Sequence, residues 1–491
     1  MIAIIDQDDP ELDNVFILAT KSLDLLFIIL PNTIPLYNRI KHCGDVKYGI
    51  QTICAVGHQI AKERGQDQYF ANVALKFNLK LGGNNQLLDK QCLGIINEDK
   101  TMVVGIDVTH PSPGSSSRAP SIAGMVASVD RWLGQWPAVL LAQAGARQEM
   151  VTGLSDMLKS RLQLWKTKGY HQFLPENILV YRDGVSEGQY DKVVNEELPR
   201  LRKACTEVYP ASDQKRGLPH FTIVIVGKGH HTRFYPTKET DADRSGNPKP
   251  DTIVDRGVTE ARNWDFFLQA HAAIQGTARP GHYVVVLDEI FRARYAKTLA
   301  PGFNNVADVL EDLTQSLCYV YGRSTKAVSL CTPAYCADIV CERARCYLSG
   351  VFDTPTQSAG PSLAGSQTGG LQVGNEDATD RKAMNPFTLY RDDGSSDPQY
   401  RATVESVEAS IGRQPCECVD CQNGFYTVKE QYSPGLSSRR RLSDKEAERS
   451  VLSAVEDIHR RRASLTKRID VFGDVLLSRW KKRSQEKREA F

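Results

Sequence analysis

No stretch of this chain is apolar for long enough to cross a bilayer. The longest candidate, Val15 to Leu30, is broken by Lys21 and Asp24, and its uninterrupted part, Leu25-Leu26-Phe27-Ile28-Ile29-Leu30, suits a buried strand. A basic leader is absent too. Asp6, Asp8, Asp9, Glu11 and Asp13 make the N-terminus acidic, so no targeting segment is expected, and the expected location is the cytoplasm, with the nucleus as a second compartment. Neither charge is in excess: 61 Lys and Arg face 59 Asp and Glu. A uniformly basic nucleic-acid coat is thereby excluded, and any phosphate-binding surface must be a local patch. The 12 cysteines lack the spacing of a disulfide framework, and Cys318, Cys331, Cys336, Cys341 and Cys346 lie in apolar segments that suit reduced thiols. What remains is 491 residues, 41% hydrophobic and 24% charged, enough for several domains with their own cores and unlike a disordered chain.

Charge and composition divide the chain unevenly. Residues 1–354 are balanced, with 39 basic against 39 acidic side chains. Residues 355–436 carry 6 against 11 and are rich in Gly, Ser, Thr, Gln, Asp and Pro, which predicts a mostly disordered linker. Within it Cys416, Cys418 and Cys421 offer three thiols without a fourth ligand, a weak case for zinc. Residues 437–491 carry 16 against 9 and read as a basic amphipathic helical tail, opened by Ser443 and Glu446 and continued by Val451, Val455, Ile458, Leu465, Ile469, Phe472 and Leu476. Its basic clusters read first as a solvated helix face.

Between residues 98 and 348, short β-rich runs alternate with helical periodicities, the pattern of an α/β domain. The expected strands are Met102–Val108, Ser121–Val129, Ala138–Ala142, Ile178–Tyr181, Phe221–Val226, Tyr283–Leu287 and Ala327–Leu330. One helix is expected along Met150, Leu154, Met157, Leu158, Leu162 and Trp165. Another opens at a Ser186/Gln189 capping box and follows Tyr190, Val193, Val194, Leu198, Leu201 and Cys205. Two more run from Val306 to Tyr321 and from Pro333 to Leu348. Asp107 and Asp183 each end a buried apolar strand. Two carboxylates at neighbouring strand ends repel and lose hydration, a costly arrangement unless divalent cations hold them, although either one alone reads equally well as a turn former.

The wording around these aspartates is more specific. Gly105-Ile106-Asp107-Val108-Thr109-His110-Pro111, Arg147-Gln148-Glu149, Tyr181-Arg182-Asp183-Gly184, Lys228-Gly229-His230-His231-Thr232-Arg233, the run from His271 to Pro280, and Pro333-Ala334-Tyr335 through Arg343-Ala344-Arg345 together resemble, in order, the PIWI domain of eukaryotic Argonaute proteins. The resemblance implies an RNase H-like fold for residues 98–354 and a catalytic set of Asp107, Glu149, Asp183 and Asp338. Asp107, Asp183 and Asp338 would hold two Mg²⁺ ions about 3.5–4 Å apart, with Mn²⁺ as a substitute. Residues 29–97 resemble part of a Rossmann-like MID domain, to which residues 1–28 would add an acidic segment and a strand. There Tyr37, Lys41, Lys76 and Lys80, joined by Arg343, are implied to hold the first base and 5′-phosphate of a small guide RNA. Read without the resemblance, Lys76 and Lys80 alternate along one face of a strand. Ile53 stands where the family commonly has a phosphate-contacting glutamine. Lys228, His231, Lys326 and Tyr335 are implied to contact guide backbone.

The expected activity is guide-directed cleavage of complementary target RNA, with silencing-complex proteins as further partners and no membrane. The alternatives are a non-catalytic small-RNA-binding silencing factor and a truncated chain that loads guides poorly.

Overall fold

The computed structural model describes residues 12–30, 34–62, 64–112, 115, 119–143, 147–214, 217–348, 388–391 and 426–427. Strands β1 (Leu25–Leu30) and β2 (Gln51–Val56) pair in parallel as a small separate sheet, flanked by helices Ile34–His42 and Gln66–Lys80. The main sheet is built from β3 (Thr101–Thr109), β4 (Ser121–Ala127), β5 (Ala138–Gln143), β6 (Asn177–Asp183), β7 (His220–Gly227), β8 (Thr252–Val254), β9 (Trp264–Gln269), β10 (Gly281–Asp288), β11 (Thr388–Arg391) and β12 (Tyr426–Thr427). Across the sheet the order is β12-β11-β5-β4-β3-β6-β7-β10-β9-β8. At its centre β3, β6 and β7 run parallel, while β4 and β10 pair antiparallel on either side.

The central strands are apolar on both faces, so helices cover both. Met102, Val104, Ile178, Val180 and Ile223 point to one side, packed with helices Leu154–Thr167 and Leu198–Val208. Val103, Leu179, Tyr181 and Val224 alternate to the other, under helices Val306–Leu317 and Thr332–Tyr347. The last of these lies so close to the sheet that a Cβ on Gly105 would come within 2.0 Å of the Pro333 carbonyl oxygen, and one on Gly124 within 2.8 Å of Cys341 Sγ. Only glycine admits the helix backbone at Gly105, and the helix is thereby pressed over the end of β3. Gly105→Ala is therefore expected to cost about 3 kcal/mol by overpacking against backbone that has nowhere to move. Urea unfolding checks this, and an unchanged midpoint would show that the helix can lift without loss.

Several sequence expectations are corrected. Ala327–Leu330 is not a strand, whereas β8 and β9 were not anticipated. Lys76 and Lys80 lie on a helix, not a strand: the polar–apolar alternation of Lys76-Phe77-Asn78-Leu79-Lys80 fits period two, but the buried positions Val73, Lys76 and Lys80 follow helical spacing. The β1 run is a strand with one outward face, since Phe27 and Ile29 are exposed. Ser186 donates to the Gln189 side chain at 2.9 Å instead of capping backbone. The capping box found is Asn305 with Asp308, opening helix Val306–Leu317. The five cysteines singled out are buried free thiols. Two short pieces of the 355–436 segment, β11 and β12, join the sheet edge; the Cys416 cluster and the 437–491 tail lie outside the described residues.

Candidate functional site

The register of the central strands places the first two acidic residues. β3 and β6 are parallel, and their last pair is Ile106 with Arg182, so Asp107 and Asp183 follow side by side at the carboxyl ends. Both lie on the face that carries Val103 and Tyr181, beneath helix Thr332–Tyr347. A Cβ on Gly184 would sit 3.3 Å from Asp107 Oδ1, and Cys341 Sγ on that helix lies 3.3 Å from the Asp107 carbonyl oxygen. The helix presents Asp338 from its second turn, exposed to solvent.

These groups act on one another electrostatically. Burial, then Asp107 and Asp338, hold Asp183 well above the usual carboxylate range. Burial raises Asp107 as well; Arg182 opposes this and Glu149 adds to it. Asp107, Asp183 and Asp338 thus act on one another, and Glu149 acts on Asp107. They are not drawn into a single-ion cage, and no three of them have oxygens within 4.8 Å of one another. Like charges keep apart, and Glu149 is held by other partners.

Glu149 stands on the loop after β5, five residues ahead of helix Leu154–Thr167. Arg182 Nη2 donates to Glu149 Oε1 at 2.9 Å and to the Glu149 carbonyl oxygen at 2.7 Å, while His110 Nε2 lies 2.9 Å from Glu149 Oε2. His110 is oriented in turn by Ser121, 2.9 Å from its Nδ1. Arg182 is fully buried on the opposite face from Asp183, where its Nε donates to Glu197 Oε2 at 3.1 Å. Glu197 also accepts from Val151 N at 2.9 Å, pinning the far end of the loop. Sequence reasoning missed this support, but it left a signal. A guanidinium alternating into an apolar strand needs a buried acid, and Glu197 falls between Val193 and Leu201 on the buried stripe of the next helical segment.

A second cluster forms where the small sheet meets helix Thr332–Tyr347. Tyr37, Lys41, Lys76, Lys80 and Arg343 are all buried. The Tyr37 ring has Lys41 Nζ 5.3 Å and Arg343 Cζ 5.9 Å from its centroid. Lys41 Nζ donates to Thr52 Oγ1 at 2.9 Å and to the Thr52 carbonyl at 3.0 Å, and Lys80 Nζ donates to Gln51 Oε1 at 2.8 Å. Lys76 lies one turn before Lys80 on the same face. Among the described residues the Arg343 guanidinium makes no hydrogen bond; its Nη1 pairs at 3.4 Å with Asp45 Oδ2, an acid that also accepts from Tyr347 at 2.8 Å. Burial pulls Lys80 down to about 7; Asp45 resists, and Lys41, Arg343 and Arg323 add to the fall. Among the described residues, Lys41, Lys76, Lys80 and Arg343 gather here with Asp45, a concentration of positive charge suited to an anion. Asp45 was not anticipated. Ile53 is buried in β2 and supplies no donor.

Lys228 follows β7 at the same sheet end as Asp107 and Asp183. Burial and Arg279 lower it to about 8, and Asp183 opposes the fall. Arg279 Nη1 donates to the Lys228 carbonyl at 3.3 Å, and burial together with Lys228 lowers His271 to about 4. Arg279 and His271, which sequence reasoning quoted without assigning, therefore join Lys228 here. His231 and Lys326 are exposed, and Tyr335 is half-buried with its ring edge-on to Tyr321 at 4.9 Å.

The Piwi domain family matches residues 24–349. Similar curated proteins include protein argonaute 5 of Arabidopsis thaliana, 37% identical over 71% of this chain and 34% of that protein, and protein argonaute 2 of Oryza sativa subsp. japonica, 38% identical over 68% of this chain and 30% of that protein. Among solved structures, Kluyveromyces polysporus Argonaute with a guide RNA aligns at TM-score 0.60 and 29% identity, covering 70% of this chain and 40% of that one. The chain belongs to the Piwi-domain family of Argonaute proteins, with its RNase H-like α/β fold. It spans about a third of the length of these curated relatives. Among the described residues no helix is long and apolar enough to cross a membrane.

Proposed function

We propose that this protein is a guide-directed RNA endonuclease: it holds a small guide RNA by its 5′-phosphate and cleaves RNA paired to that guide. The observation that carries this reading is the adjacent register of Asp107 and Asp183 at the carboxyl ends of β3 and β6, with Asp338 acting on Asp183 and Glu149 on Asp107. The solved relative with a guide RNA supports the choice of ligand.

The donor set fits divalent metal. It consists of carboxylate oxygens alone, and the buried Asp107 and half-buried Asp183 are held above their usual range chiefly by lost hydration, a cost that a bound cation relieves. Asp107, Asp183 and Asp338 would hold the ions. Bound Mg²⁺ there, or Mn²⁺ in its place, supplies Lewis-acid chemistry: a more acidic water and charge neutralisation at the scissile phosphate. The protein's own part is positional. Arg182 and His110 fix the Glu149 carboxylate at the rim, and Lys228 places a cation beside Asp183 where a backbone phosphate would pass. Base pairing to the guide would select the target, so the protein needs to read only backbone and 2′-hydroxyls.

The test combines the purified chain, a 5′-phosphorylated guide, complementary labelled RNA and MgCl₂. A single cut opposite the middle of the guide supports the reading. Guide binding without any cut would favour the non-catalytic silencing factor, and absence of both would point to a chain that does not load guides.

The guide pocket adds a pH signature. Lys80 sits near neutrality, so above about pH 7 it must take up a proton when a phosphate dianion binds. Affinity for a 5′-phosphorylated RNA is therefore expected to fall by up to about tenfold per pH unit above 7. Lys80→Arg, which stays charged, should flatten the curve. Fluorescence anisotropy with 5′-phosphate and 5′-hydroxyl RNA checks this. Identical pH profiles for the two would remove Lys80 from phosphate binding.

A further inference from the structure

We infer that the protein holds a second divalent cation, separate from the catalytic carboxylates, between Asp255, Asp308 and Glu311. Asp255 follows edge strand β8, whereas Asp308 and Glu311 lie in the first turns of helix Val306–Leu317. Each offers a carboxylate oxygen, and the three oxygens lie within 4.8 Å of one another, closer than any three of Asp107, Glu149, Asp183 and Asp338 come. Oxygens so grouped can share one ion at the Ca–O distance of about 2.4 Å, and the donors are the hard oxygens that calcium takes.

Proximity of acids alone would not make a site. The second observation is Glu311, which is 4% exposed and whose Oε1 is shut away from solvent with no hydrogen-bond partner. A buried carboxylate oxygen without a donor is costly, and this carboxylate lies among two others. Asp308 is tied in place: its Oδ2 accepts from Asn304 N at 3.1 Å and Asn305 N at 3.3 Å, and its Oδ1 from Asn305 Nδ2 at 2.8 Å. Asp255 Oδ2 pairs at 3.5 Å with Arg256 Nε, on a largely exposed side chain. The helix thus presents two preset carboxylates to a third from the sheet edge. An ion there would tie β8 to the helix and supply the partner that Glu311 Oε1 lacks.

The experiment uses the full chain with Asp183→Asn, which disables the catalytic carboxylates, titrated with CaCl₂ and separately with MgCl₂ after EDTA treatment. Calorimetry is expected to show one calcium ion bound per chain. At about a hundredfold excess over the dissociation constant, the melting temperature should rise by about 5 °C. Adding Glu311→Gln to this background should abolish both signals, and Asp255→Asn should weaken them by tenfold or more. Asp255→Asn serves as the deciding variant should Glu311→Gln not fold. Magnesium binding in place of calcium, lost in the same variants, would keep the site and change its preferred ion. No cation binding in the Asp183→Asn chain, or binding that survives both further substitutions, would overturn the inference. Neither result depends on RNA cleavage, so the site stands or falls apart from the nuclease reading.

Discussion

Arg182→Met is expected to lower the unfolding free energy by about 3–5 kcal/mol, the usual cost of removing one partner from a buried ion pair. Arg182 is fully buried, and although burial works against its charge, Glu197, Glu149 and Asp107 keep it more firmly protonated than a free arginine. Methionine fills much of the volume but leaves Glu197 buried without its cation. The loss should reach beyond stability, because the same guanidinium holds both the Glu149 carboxylate and its backbone carbonyl. Cleavage should fall further than stability explains when measured well below the melting temperature. The double variant Arg182→Met with Glu197→Met, which removes both charges, should recover much of the stability and none of the cleavage. If the double variant regains cleavage as well, Arg182 does no more than support the fold.

Asp183→Asn moves activity and stability in opposite directions. Cleavage should drop by about a thousandfold or more, since a ligand and a charge leave the site together. The metal-free fold should become more stable, with a melting temperature about 2–4 °C higher, which corresponds to roughly 1 kcal/mol in a domain of this size. The sign follows from Asp183 lying above its ordinary range in the folded state through burial, Asp107 and Asp338. A carboxyl raised in this way favours folding fully below its unfolded value, near 4, and loses that contribution as pH climbs through the folded one. In EDTA the wild-type chain should therefore lose stability more steeply than Asp183→Asn as pH rises above the ordinary carboxylate range. Scanning calorimetry with and without MgCl₂ would check both signs. A variant that is less stable in EDTA would show that Asp183 makes a structural contribution the repulsion argument lacks.

Helix Thr332–Tyr347 links the two halves of the proposed activity. It carries Asp338 toward Asp107 and Asp183, and five residues later Arg343 toward Tyr37 and Asp45. Pressed against Gly105 and Gly124, it can shift little without disturbing both ends. In the proposed activity, guide anchoring and cleavage would share this one element, and a guide's 5′ end would be held at a fixed distance from the carboxylates. That would be the physical basis for a cut at a constant position along the guide.

Much of this was legible in the residues. Short apolar runs ending in Asp107 and Asp183 announced strands with acids at their ends, and the wording of six separated segments pointed to the family that the Piwi match bears out. The stripe of helix Leu154–Thr167 was readable because burial on one side imposes a 3.6-residue period, whereas helix Thr332–Tyr347, buried nearly all round, was read from the proline in its first turn. Lys76 and Lys80 were not, since five residues of alternating polarity fit a strand and a helix equally, and only the cluster they turn toward chooses between the two.

The sequence by itself determined which side chains could bear charge and which segments had to be buried. Those are properties of local composition and period. Tertiary structure alone decided that Asp107 and Asp183 stand in adjacent register, that Arg182 leaves them for Glu197 and Glu149 on the other face, and that Asp45 enters the basic pocket. Such pairings join residues far apart along the chain. Their energies depend on burial and separation, which exist only once the sheet and its helices have closed around them.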